Sequence, residues 1–74
     1  MDSENIITID GIQYYVLAKE EIDGSNYLYV GEIHEEDITG NFYVYKEEKD
    51  SYRKITNSDE LKEILPVMIN AMNE

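Results

Sequence analysis

Residues 27–46 read YLYVGEIHEEDITGNFYVYK, two aromatic and β-branched runs around a polar middle. In YLYVGEI (27–33) and FYVYK (42–46) such residues dominate and alternate at period two. A strand sends successive side chains to opposite faces at that period, so both runs read as strands. The segment between them, HEEDITGN (34–41), is polar, ends in Gly-Asn and reads as the longest loop of the chain. Gly31 marks a bulge or a close approach of backbone.

Working outward, Ile6 to Ile9 forms a β-branched run that ends at Asp10-Gly11, a strong short-range hairpin signal. A second strand follows from Ile12 to about Lys19, with Glu20 to Ile22 extending it or bending away, and a turn at Asp23 to Asn26. Beyond Lys46, Glu47 to Asp50 is a charged turn and SYRKI (51–55) a fifth strand. Successive hairpin connections predict an antiparallel meander of 4–5 strands.

The period then changes. Asn57 or Ser58 offers an N-cap, Glu60 stands where a capping box places it, and Asp59 and Glu60 suit the positive end of a helix dipole. Leu61, Ile64, Leu65, Met68 and Met72 recur at helical spacing and form an apolar stripe. Pro66 falls inside it, where a proline loses the bond to the Lys62 carbonyl. The expectation is one C-terminal helix, kinked or broken near Pro66. The fold class is α+β, in a single domain over 1–74 with a lead-in at 1–4, a sheet over 6–55 and a helical segment over 58–72.

Sorting the strands by hydrophobicity puts Leu17, Leu28, Val30, Phe42 and Val44 under the helix. Tyr14, Tyr27, Tyr29, Tyr43 and Tyr45 then share the opposite face. An open sheet face normally carries polar residues. A band of tyrosines there is a candidate interaction surface, for a protein partner or a second copy of the chain, because Tyr pairs an apolar ring with a polar tip.

The bulk composition narrows the function. Seventeen acids against six bases leave a net charge of -11, which repels nucleic-acid phosphates and anionic lipid, so neither is an expected direct partner. With 42% hydrophobic residues the chain is not a disordered acidic tail. No cysteine is present, so a disulfide framework and a thiolate metal site are both excluded. No signal peptide and no apolar run of membrane-spanning length occurs, which makes the cytoplasm the expected location.

No catalytic residues, metal ligands or cofactor site are assigned. His34 stands alone beside Glu35, Glu36 and Asp37, without the ligand spacing of a metal loop. The carboxylates are not bracketed in an apolar pocket, which is what separates two carboxyl pKa values for acid–base work. A non-enzymatic interaction protein is the expectation. The alternative is an acidic nucleic-acid mimic, a decoy that occupies a basic or nucleic-acid-binding protein.

The opening NIITIDG, the central YLYVGEI with its acidic loop and the late YRKITNSDELKEIL resemble the YrzB-like family. Its members are small acidic bacterial proteins of unknown function, mostly from Gram-positive organisms, and similar short proteins occur in their phages. The likeness runs from Asn5 to about Leu65. It implies the same sheet-then-helix layout and a cytoplasmic setting, and it supplies no activity and no functional residues. Two departures stand out: the loop from His34 to Asn41 is less densely acidic than the family's, and Pro66 lies where that family has a continuous helix.

Overall fold

A computed structural model describes residues 5–73, so the lead-in at 1–4 lies outside the described residues. Five strands form one antiparallel meander in chain order: β1 (Ile6–Ile9), β2 (Ile12–Ile22), β3 (Ser25–His34), β4 (Asp37–Glu47) and β5 (Tyr52–Lys54). A single helix, α1 (Ser58–Met72), follows. The sheet curls into a half-barrel: Ile9 on the first strand and Tyr52 on the last pack into the same cluster. Among the described residues no helix is long and apolar enough to cross a membrane.

Three connections are two-residue turns with positive φ at both central positions: Asp10-Gly11, Asp23-Gly24 and Glu35-Glu36. Positive φ at both positions is the mark of the I′ turn, whose twist matches that of the strands. Asp-Gly supplies it readily. Glu35 and Glu36 adopt φ 51 and 72 against their own sterics, so β3 and β4 run much further into HEEDITGN than a loop reading allows. The long loop expected there is instead a tight hairpin with a bulge. Replacing Glu35-Glu36 by Asn-Gly should stabilise the protein by about 1–2 kcal/mol, since left-handed backbone costs roughly 1 kcal/mol or more per side-chain-bearing residue. Urea denaturation checks this, as an upward shift of the midpoint at unchanged slope.

Two irregularities decide which side chains face where. On β2, Val16 pairs with Val30 and Ala18 with Tyr29, leaving Leu17 as an extra residue. Past that bulge the parity of β2 inverts, so Val16 and Ala18 point to opposite faces. On β3 and β4, Gly31 pairs with Phe42 and Ile33 with Ile38, so residues 39–41 bow out opposite Glu32. Gly40 turns that corner at φ +95, and the Glu32 carboxylate accepts from Thr39 Oγ1 at 3.4 Å and Asn41 Nδ2 at 3.5 Å.

The sheet therefore has two cores. On the concave side Ile9, Tyr14, Leu28, Val30 and Tyr45 are buried together. On the other side Val44, Ile55, Ile64 and Met68 are buried under α1, with Tyr27, Tyr29, Ala18 and Leu65 against them. This corrects the face assignment made from hydrophobicity. Leu28 pairs with Tyr45 and Val30 with Tyr43, and cross-strand partners share a face, so Leu28 and Val30 lie away from the helix.

The helix begins as its sequence requires. Asn57 is the N-cap, and its Oδ1 accepts from the Asp59 N–H at 2.8 Å and the Glu60 N–H at 3.2 Å. It then runs without a break from Ser58 to Met72, through Pro66. Ile64 and Met68 are buried on either side of the proline, whose own ring is exposed, so packing outweighs the lost backbone bond.

Candidate interaction surface

The tyrosines do not form one exposed face. Tyr14 and Tyr45 are only 2% and 4% exposed, inside the half-barrel. The Tyr45 hydroxyl donates to that of Tyr14 at 3.2 Å. Tyr14 meets Tyr43 edge-on, with ring centroids 6.1 Å apart, and Tyr45 at 5.5 Å. Lys54 Nζ lies 4.2 Å from the Tyr43 centroid and covers the half-buried side of this cluster. Burial pushes the Tyr45 phenol well above its ordinary range, and the hydrogen bond to Tyr14 adds to the effect.

Tyr27 and Tyr29 sit half-buried on the opposite side, under the helix. The five tyrosines proposed from the sequence are thus divided between two cores. The reason is physical: the curled sheet covers its own concave side, so that side needs no outside partner to keep aromatic rings dry.

What the fold leaves open lies on the helix side. Residues of β3 and β4 beyond the reach of α1 still face that way, and Phe42 stands there 45% exposed beside the exposed Ile38. Gly31 permits this arrangement, because a Cβ at Gly31 would come within 3.1 Å of both Ile38 Cγ2 and Phe42 Cε1. Phe42 leans on Tyr29, with ring centroids 5.9 Å apart. Tyr29 and Phe42 share a cleft with Leu61 and Leu65. The same two leucines also line an open groove on the outer side of the helix, with Pro66, Val67 and Ile69.

The result is a continuous apolar strip from Phe42 over Leu61 and Leu65 to Ile69, which is 50% exposed. Lys62 is the one charged residue lining the helix groove, and among the described residues no acid lines it. Sequence reasoning missed this surface because it sought a single helix stripe. Val67 and Ile69 fall off that stripe and are exposed, and Met72, assigned to it, is exposed as well. The signal was present in LPVMINAMN (65–73), which has no charged residue in a strongly acidic chain.

His34 is exposed at the end of β3, next to the Glu35-Glu36 turn. Among the described residues no three His, Cys, Asp or Glu side chains converge to hold a metal ion.

The arrangement defines a class by shape alone: a five-stranded antiparallel half-barrel with one helix packed on its outer face. No family model matches the chain, and no curated protein or solved structure matches it. The resemblance to the YrzB-like family gains no support from them.

Proposed function

We propose that the chain is a non-catalytic protein-interaction module whose contact surface is the apolar strip from Phe42 across Leu61 and Leu65 to Ile69. One observation carries this. A solvated helix normally puts charged residues at its exposed positions, yet Ile69, beside Leu65 on the strip, occupies one here. Contiguous exposed apolar surface of this kind marks binding sites. The residues lining the strip are mainly apolar and aromatic, which favours binding by contact.

Site-specific photo-crosslinking in cells tests the reading. A photoreactive phenylalanine analogue at position 42 or 69 should give protein adducts, and the same analogue at exposed Glu21 should give few. Adducts at Glu21 with none at 42 or 69 would overturn it and favour the acidic decoy, whose contacts would run through carboxylates.

A further inference from the structure

We infer that the partner of this surface is a short extended peptide, basic toward its C-terminus, that pairs as an added strand with the open edge of β4 at Phe42. The inference rests on the interaction-surface reading above and names the chemistry of its occupant.

Strand β4 is eleven residues long, whereas β5 pairs only with Tyr45, Lys46 and Glu47. The Ile55 N–H still reaches the Val44 carbonyl at 2.8 Å, and Asn57 then caps α1 and takes the chain off the edge. Strand backbone groups point to the same edge at every second residue, so Phe42 directs its N–H and C=O the same way as Val44. β5 is the last strand of the sheet, and among the described residues no strand lies opposite Phe42 on that edge. Unpaired edge groups are a template for a further strand, and main-chain pairing of this kind is a recurrent mode of peptide binding.

The side chains add a socket to the edge. Where β5 leaves β4, a cleft of about 400 Å³ opens between residues 42–44, residues 54–56 and the helix residues Leu61 and Leu65. Antiparallel pairing sets one peptide residue against Phe42 and exchanges two hydrogen bonds with it. Cross-strand partners share a face, so that residue's side chain stands on the helix side with Phe42, at the cleft. An apolar residue there meets Leu61 and Leu65, which α1 holds half-buried against the sheet.

Charge chooses the rest of the peptide. Running antiparallel to β4, it passes from Phe42 toward the Glu35-Glu36 turn. Glu32, Glu35, Glu36 and Asp37 stand at that end. The ion pairs among the described residues join Lys19 to Glu47 and Arg53 to Glu48, and engage none of these four acids. Lys or Arg in the C-terminal half of the peptide therefore meets unpaired carboxylates, and the net charge of -11 steers such a partner inward. The same charge opposes a second copy on this edge. Residues 39–41 bow out of register with β3, which keeps the open edge short and suits a peptide better than another sheet.

Selection of random octapeptides from a display library against the full-length chain, in low salt, tests the inference. Enriched sequences should place an apolar residue ahead of Lys or Arg, and their binding should weaken as salt rises. With a synthetic copy of an enriched peptide, the Phe42 amide should shift downfield in the NMR spectrum and exchange more slowly with solvent. N-methylation of the peptide residue paired with Phe42 should weaken binding by about tenfold, the loss of one well-made hydrogen bond. Methylation one residue along should change little, because that N–H faces away from β4. Glu36→Gln combined with Asp37→Asn should weaken binding severalfold at low salt and little at high salt. No enriched peptide, an acidic consensus, or N-methylation effects that do not alternate would overturn the inference. Peptides that shift amides of α1 and leave Phe42 unmoved would overturn the added strand, with the interaction surface itself left standing.

Discussion

Tyr45→Ala is expected to cost about 3–5 kcal/mol, the range for deleting a buried aromatic side chain, and to leave this small protein largely unfolded at 37 °C. The residue is 4% exposed and packs with Tyr14, Leu28 and Val30 on the concave side. Tyr45→Phe keeps the ring and loses only the hydroxyl contact with Tyr14, so it should cost about 1 kcal/mol. Thermal or urea denaturation of the two variants separates a core role from a binding role. A surface tyrosine would leave the midpoint unchanged in both.

The same phenol makes stability fall in alkali. In the unfolded chain Tyr45 ionises near pH 10, while in the folded protein its pKa is raised by burial. Its contribution is therefore complete below about pH 10, and above that the unfolded state binds fewer protons than the folded one. Stability then drops by up to about 1.4 kcal/mol per pH unit until the folded phenol also ionises. Tyr45→Phe should lose less stability than the unmodified protein between pH 9 and 11. Equal losses would mean that the Tyr45 phenol is not held from solvent.

The meander was legible because its punctuation is chemical. Asp10-Gly11 and Asp23-Gly24 are residues that a tight turn with positive φ favours, and the N-cap at Asn57 satisfies two helix N–H groups. The faces were not legible, because parity depends on details without a composition signal. One extra residue at Leu17 inverts β2, and a hairpin closed by Glu35-Glu36 sets the register of β3 on β4. YLYV and FYVY alternate equally well in either register, and only the pairing of Leu28 with Tyr45 tells which tyrosines lie with which aliphatic residues.

The tyrosine band drew the eye for the same reason that it failed as a surface. A large amphipathic ring fits a wet interface and a small core alike, and curling of the sheet decides between them. Pro66 does not divide α1, which runs as one helix from Ser58 to Met72. Its local cost was readable, whereas the burial of Ile64 and Met68 on both sides of it, which keeps the helix whole, is tertiary. The helix end of the strip that remains exposed was written in Ile69, an apolar residue where a solvated helix would carry charge.

Met68→Ala should cost about 2–5 kcal/mol, whereas Met72→Ala should change stability by no more than about 0.5 kcal/mol when measured on dilute protein. Both methionines belong to one helical stripe in the sequence, yet Met68 is 0% exposed and Met72 46%. Met68 fills the space between α1 and the sheet in the cluster with Val44, Ile55 and Ile64, and a helix of this length is marginal in water without such packing. The loss should not be confined to the helix. Val44 is buried beneath α1 and Tyr45, the next residue, is buried in the half-barrel, so the two cores share the backbone of β4. Loosening one core frees the strand that holds the other. Unfolding of Met68→Ala should therefore remain a single transition, with the far-ultraviolet helix signal and the near-ultraviolet tyrosine signal lost at the same urea concentration. A tyrosine signal that outlasts the helix would show instead that the half-barrel stands alone and that α1 is an appendage to it.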